Sequence, residues 1–342
     1  LDINHFYMSS FPSSTIQCGH FLEKCTGKEL VWECFGNFLT LHITKLIGGK
    51  MGYDMTMEIS ALNEIFVEFY YWITIPLMFL IHVGFCLYEV SISRAKNQIH
   101  TLMKNAMLIP MVTVTMFLFG FWIYFAGQGP FGDFAGGTTG LPWDATMGSN
   151  FGDHIMGVFW AAFLLFSWTA ASIISGAVIE RIRTGAFLIL AVFVGSGTWM
   201  IDAAWGWSAG GWMVTDWGYH DAYASGVVHG ICGGAALGIL AVLGPRIGKF
   251  APDGTPRDIP PSNPWFAVIG LFIIYAGFWG FYAACNVPII EFDGVWTATT
   301  IYGTPTTLST ITFNFLMSLA GGLMAGYYMS KGDSFWTFSG GL

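Results

Sequence analysis

Residues 221–246 read DAYASGVVHGICGGAALGILAVLGPR, and this stretch decides the class of the chain. It is an apolar run about as long as a bilayer requires, roughly 20 residues. His229 nevertheless sits inside its first third. Gly226, Gly230, Gly234 and Gly238 recur every fourth residue, which sets them on one helical face where a neighbouring helix can approach backbone to backbone. Asp221 stands just before the run and Arg246 just after it. An ionisable group in a span is costly, so His229 faces either a cavity or pathway or, more simply, a carbonyl of a facing helix.

The rest of the chain has the same character. Of 342 residues, 54% are hydrophobic, 17% aromatic and only 10% charged, against about 25% charged in an average soluble domain. Such a chain cannot cover itself with polar surface, so it reads as an integral membrane protein. Its net charge of −8 comes without clustered Lys and Arg, which excludes nucleic acid as a partner. No metal-ligand cluster, nucleophile–base pair or phosphate loop stands out, so the chain does not read as an enzyme and no cofactor is expected. Of six cysteines, Cys86, Cys232 and Cys285 fall in apolar runs as small fillers. Cys18, Cys25 and Cys34 lie in the polar N-terminal segment, where one disulfide is conceivable in an oxidising compartment.

Residues 1–58 carry scattered charge and no clean span, and read as an extracytoplasmic extension of unreadable role. Residues 59–342 read as the membrane domain, with seven spans at 65–90, 106–126, 155–179, 185–201, 222–243, 265–284 and 307–329. All nine Lys and Arg after residue 60 fall in the loops after odd-numbered spans: Arg94, Lys96, Lys104, Arg181, Arg183, Arg246, Lys249, Arg257 and Lys331. The loops 127–154, 202–221 and 285–306 contain none. The positive-inside rule therefore puts the N-terminus outside, in a plasma or inner membrane. The outer loop 129–153, rich in Gly, Trp and Asp, has no helical or strand period and must be held by turns.

The fifth span resembles the signature of the ammonium transporter family (Amt/Mep/Rh), an Asp followed eight residues later by His and a closing L-G-x-R. Here Asp221 opens DAYASGVVH, His229 closes it, and Arg246 ends LGPR. Three further segments are similar to the family in order and spacing: 87–105 (LYEVSISRAKNQIHTLMKN), 175–183 (SGAVIERIR) and 277–285 (GFWGFYAAC). The resemblance covers residues from about 61 to 342. It implies an all-α polytopic bundle of the Amt type with an inverted repeat, in which each subunit of a homotrimer encloses a pore. On that fold the chain is expected to stop before the last spans, including the one that carries a second pore histidine.

The resemblance also implies roles. Trp207 looks like the aromatic wall of an external ammonium recruitment site, with Asp221 ordering the vestibule. Phe166 looks like the outer gate, facing that site, and Phe281 like the second gate ring. His229 looks like a pore histidine. Cys285 stands where a Ser hydroxyl is usual, Tyr282 where Asn is common and Phe163 where Gln is common. Glu89 matches the family pattern and is expected to bond to the loop after the first span, whereas Glu68, His82 and Asp202 receive no role. Each role has a plainer counterpart. The phenylalanines are two of 31 and could be packing, Trp207 could belong to an interfacial belt, and Asp221 could cap the fifth helix at Ser225–Gly226.

The implied activity is recruitment of ammonium and passage of ammonia, with or without its proton, through an apolar pore. Ring quadrupoles contribute about 0.5–2 kcal/mol per cation contact, whereas desolvating an ion costs several kcal/mol. The cation can thus be gathered at the mouth, but neutral ammonia crosses the lumen more easily once the proton is given up. Two other readings remain open: an ammonium sensor coupled to a cytoplasmic regulatory or signalling partner, and an accessory structural subunit of a membrane complex.

Overall fold

Long apolar stretches have no alternative in lipid to closing their hydrogen bonds within a helix, and the architecture follows from that. The computed structural model describes residues 55–130, 137–145, 147, 154–292 and 295–342. The expectations for the N-terminal segment, with Cys18, Cys25 and Cys34, lie outside those residues. Ala61–Leu342 fold as one compact unit. Among the described residues, seven helical stretches are long and apolar enough to cross a membrane: Ala61–Ile92, Ala95–Ala126, Ile155–Ala177, Thr184–Gly206, Ser225–Leu243, Pro264–Ala284 and Leu308–Met329.

Two boundaries differ most from the sequence reading. The second span begins about three turns earlier, at Ala95 rather than residue 106, and so takes in Lys104. It is fully buried, with Nζ donating to the Ser175 carbonyl at 3.1 Å and lying 5.0 Å from the centre of the Phe187 ring. The fourth span continues to Gly206 and takes in Asp202.

Three spans are not plain α-helices. π-helical turns at Met116–Gly120, Phe193–Thr198 and Ser225–Gly230 interrupt the second, fourth and fifth. The first two meet: Thr115 Oγ1 and Ser196 Oγ are 2.7 Å apart. A π turn inserts an extra residue and resets the phase of everything beyond it. The four-residue spacing of glycines in the fifth span does not produce the expected backbone contact among the described residues. A Cβ at Gly233, Gly234 or Gly238 would meet nothing within 4 Å.

Close helix approach occurs elsewhere, between the first and sixth spans. A Cβ on Gly84 would lie 2.5 Å from the Gly270 carbonyl oxygen, and one on Gly270 2.7 Å from that of Gly84. One on Gly277 would lie 2.5 Å from Ile81 Cγ1. Tyr70 and Tyr71 reinforce the pair by donating to the carbonyls of Ala283 and Asn286, each at 2.9 Å.

The bundle is not wholly α-helical. The segment after the sixth span forms a small antiparallel sheet, β1 (Asn286–Phe292), β2 (Val295–Thr300) and β3 (Pro305–Thr306), in that order, with a register shift between Val287 and Ile290. The β-branched run VWTATT at 295–300 was the available signal. In the described part of the 129–153 loop, successive turns close Thr138 to Leu141 and Leu141 to Asp144.

On the side where the basic loops gather, Glu180 ties three of them together. Its carboxylate accepts from Arg94 N and Nε and from Asn97 Nδ2, each at 2.8 Å, and from Arg246 Nε at 3.0 Å and Nη2 at 2.6 Å. Its backbone is left-handed, with φ of 59°. Burial pushes the carboxyl up, but the hydrogen bonds from Arg94, Asn97 and Arg246 outweigh it and hold the pKa at about 2.

Candidate functional site

Four spans converge on one aromatic constriction. Phe166 comes from the middle of the third span, and Trp207 caps the helix that ends the fourth. Phe281 lies near the end of the sixth, one turn before Cys285. Phe166 and Phe281 meet edge to face with centroids 4.4 Å apart, and Phe166 meets Trp207 at 5.1 Å. His229, from the π turn of the fifth span, stands next to Phe281 at 5.8 Å. Phe166, Phe281 and Cys285 are fully buried and Trp207 is 1% exposed, so the rings form a closed plug. Cys285 Sγ donates to the Phe281 carbonyl at 3.2 Å, which anchors that ring's backbone.

One wall of the plug is not evident from the family pattern. Phe163, where Gln is common, stacks on Trp207 at 5.6 Å with planes 28° apart. A phenyl cannot accept a hydrogen bond, and the buried Trp207 Nε1 has no partner among the described residues. Trp199 completes the surround, 6.2 Å from Phe166, with its own Nε1 donating to Ser167 Oγ at 2.7 Å.

Asp221 does what the plainer reading gave it. Its carboxylate accepts from Ser225 N at 2.9 Å, Gly226 N at 2.7 Å and Val227 N at 2.9 Å, capping the π turn that carries His229. Free N–H groups and the helix dipole both favour an anion there. Ala224, at φ of 66°, makes the entry into that turn. No hydrogen bond joins Asp221 to His229 among the described residues, so the acid positions the histidine's backbone rather than its ring. Tyr302, which sequence reasoning missed, locks the arrangement: its hydroxyl donates to the Gly206 carbonyl at 2.5 Å and accepts from Asp221 N at 3.2 Å. Burial is the main cause that pushes the Tyr302 phenol up, so it stays a neutral donor.

Beyond the plug lies a cavity of about 310 Å³, lined by His229, Phe278, Ile81, Thr169, Ser172 and, further along, Glu89. A second hollow of about 390 Å³ lies between Tyr223, Tyr282, Thr300, Thr306 and Asn314 and is bordered by neither Trp207 nor Phe166. The expected contact of Glu89 with the following loop is not made. Its side chain instead accepts from Asn105 Nδ2 of the second span at 2.8 Å and from Ser175 Oγ of the third. Glu180 is the acid that gathers the loops.

Spans that pack around an aromatic plug beside a histidine-lined cavity define a polytopic helical membrane protein. The comparisons agree. The profile of the Ammonium Transporter Family matches residues 68–333, and the chain belongs to that family. The curated relatives it matches are themselves named as ammonium transporters. Ammonium transporter Amt2 of Archaeoglobus fulgidus is 35% identical over 226 residues, covering 63% of this chain and 46% of that protein. Ammonium transporter Amt1 of Methanocaldococcus jannaschii is 30% identical over 288 residues, covering 83% and 65%. The chain spans about half the length of the first curated relatives it matches. Among solved structures, a Sensor Amt Protein aligns with TM-score 0.67 at 22% identity, over 82% of this chain and 67% of that one. Candida albicans Mep2 aligns with TM-score 0.62 at 19% identity, over 80% and 58%. At these identities the structural likeness speaks for the fold alone.

Proposed function

We propose that the full-length protein admits ammonium at the Trp207–Phe166 side and passes ammonia through the cavity lined by His229. The N-terminus would lie outside and the protein would form a homotrimer in the membrane. The observation that carries this reading is the Phe166–Phe281 pair, closed at 4.4 Å, with His229 5.8 Å beyond it. A hydrated cation cannot cross touching rings, and ring quadrupoles contribute too little to strip it of water. Ammonia released from its proton is small, neutral and able to accept a hydrogen bond from an imidazole. Potassium has no proton to give, so the acid–base step adds selectivity that size alone cannot supply. Rotation of Phe166 away from Trp207 would expose the indole face to the cation, and Asp221 would keep the π turn and His229 in register.

The experiment is ammonium-driven current and ammonia flux in proteoliposomes carrying the full-length native polypeptide, with His229→Ala beside it. A signal that changes in the variant supports a conducting pore at His229. Ammonium binding with no flux in either protein would refute transport and favour a sensor or an accessory subunit.

A further inference from the structure

The cavity that His229 lines has an acid at its far end. Thr169, Ser172, Ile173 and Gly176 of the third span all border it. Their spacing places them on one helical face about 10 Å long. Glu89 borders the same cavity beside Gly176, where a Cβ would lie 3.7 Å from Glu89 Oε1. The absent side chain at Gly176 leaves that oxygen next to the lumen.

Glu89 is fully buried, and its surroundings suit a group that alternates between charge states. Asn105 Nδ2 and Ser175 Oγ donate to the carboxylate. Lys104, from the second span, sits in the same cluster with Nζ on the Ser175 carbonyl at 3.1 Å. An acid within a span costs several kcal/mol, and such groups mark ion or proton pathways.

We infer that Glu89 is a second proton-handling group of the pore, at the opposite end of the cavity from His229. This rests on the transport reading above. A proton surrendered by ammonium at the plug passes by way of His229 and lumenal water, past the Thr169 and Ser172 hydroxyls, to the Glu89 carboxylate. The carboxylic acid then returns it to ammonia or water at the inner mouth. Each step hands one proton from a donor nitrogen or oxygen to an acceptor nitrogen or oxygen, and no electron changes hands. The titratable groups around Glu89 and the route to it are Cys86 and Tyr88 on its own span, His82 of that span at 3.3 Å from Ser172 Oγ, Lys104 on the second and His229 across the cavity, while the third span presents only hydroxyls.

The test measures charge carried per ammonia moved, in proteoliposomes of the full-length polypeptide. Glu89→Gln is expected to lower that ratio at least fivefold, and Glu89→Asp, which keeps an acid, to restore part of it. A purely structural role would leave the ratio alone. Should Glu89→Gln fail to reach the membrane, Ser175→Ala serves: losing one donor to the carboxylate should raise the pH of half-maximal current by about one unit. An unchanged ratio in Glu89→Gln, or an unmoved profile in Ser175→Ala, overturns the assignment while leaving transport intact. Native flux that carries no charge overturns it as well. A native protein that moves neither charge nor ammonia sinks the transport reading itself.

Discussion

Replacing Glu180 tests the hub where three loops meet. Its side chain is 1% exposed and holds five N–H donors from Arg94, Asn97 and Arg246, while Arg94 and Arg246 are 33% and 15% exposed. Lowering a carboxyl from 4.5 to about 2 corresponds to about 3 kcal/mol, reduced to about 2 kcal/mol by water around the arginines. Glu180→Gln should therefore lose about 2 kcal/mol, and Glu180→Ala somewhat more, because two guanidinium groups are left without their acceptor. Glu180→Gly isolates the backbone. At φ of 59° an alanine keeps the left-handed strain that glycine relieves, so Gly should exceed Ala by about 1 kcal/mol yet remain below native. Thermal unfolding in detergent reads the series, with an expected drop of at least about 4 °C for Gln. The pH dependence has a definite sign. The native carboxyl binds its proton less readily than the unfolded one, so its contribution is complete above about pH 5 and is lost as pH falls towards about 2. Glu180→Gln should flatten that acid limb. Equal unfolding temperatures at neutral pH and an unchanged acid limb would refute the hub.

Gly277→Ala should destabilise by about 1–3 kcal/mol, since its Cβ would fall 2.5 Å from Ile81 Cγ1, whereas Gly238→Ala, with nothing within 4 Å, should be neutral or better. Matched melting curves check both. Asp221→Ala removes the acceptor for three N–H groups and should cost about 1–2 kcal/mol, with Asn recovering most of it; equal melts for Ala and Asn would refute the cap. Phe166→Leu should raise half-saturating ammonium about 2- to 30-fold through loss of one cation–ring contact, and an unchanged value would remove Phe166 from recruitment.

The spans were legible because a stretch of apolar residues long enough for a bilayer has one outcome in lipid. What the sequence concealed lay where packing overrode local pattern. Lys104 looked like a loop cation but is buried against Ser175 and Phe187. The glycines at Gly234 and Gly238 looked like a packing face but meet no neighbour, and no side-chain preference announces the π turn at Ser225–Gly230. The close contacts at Gly84, Gly270 and Gly277 depend on which helices become neighbours, and sequence order does not tell that. Within the candidate site, Phe166 and Phe281 stood out from 31 phenylalanines only by resemblance. Phe163 was noted only as a departure from the family pattern and Tyr302 was missed, because their importance is geometric: one covers an indole face, the other bridges two backbone segments.

The glycine seam between the first and sixth spans also has a mechanical meaning. With backbone against backbone at Gly84 and Gly270, and again at Gly277, the two helices have no side-chain cushion to slide over. They behave as a single stiff beam, and that beam carries both Phe281 and the cavity wall at Ile81. On the proposed function, motion that admits a substrate would come from opposite the beam, from Phe166 and from the spans with π turns. One side of the proposed passage would then act as an anvil and the other as the part that yields.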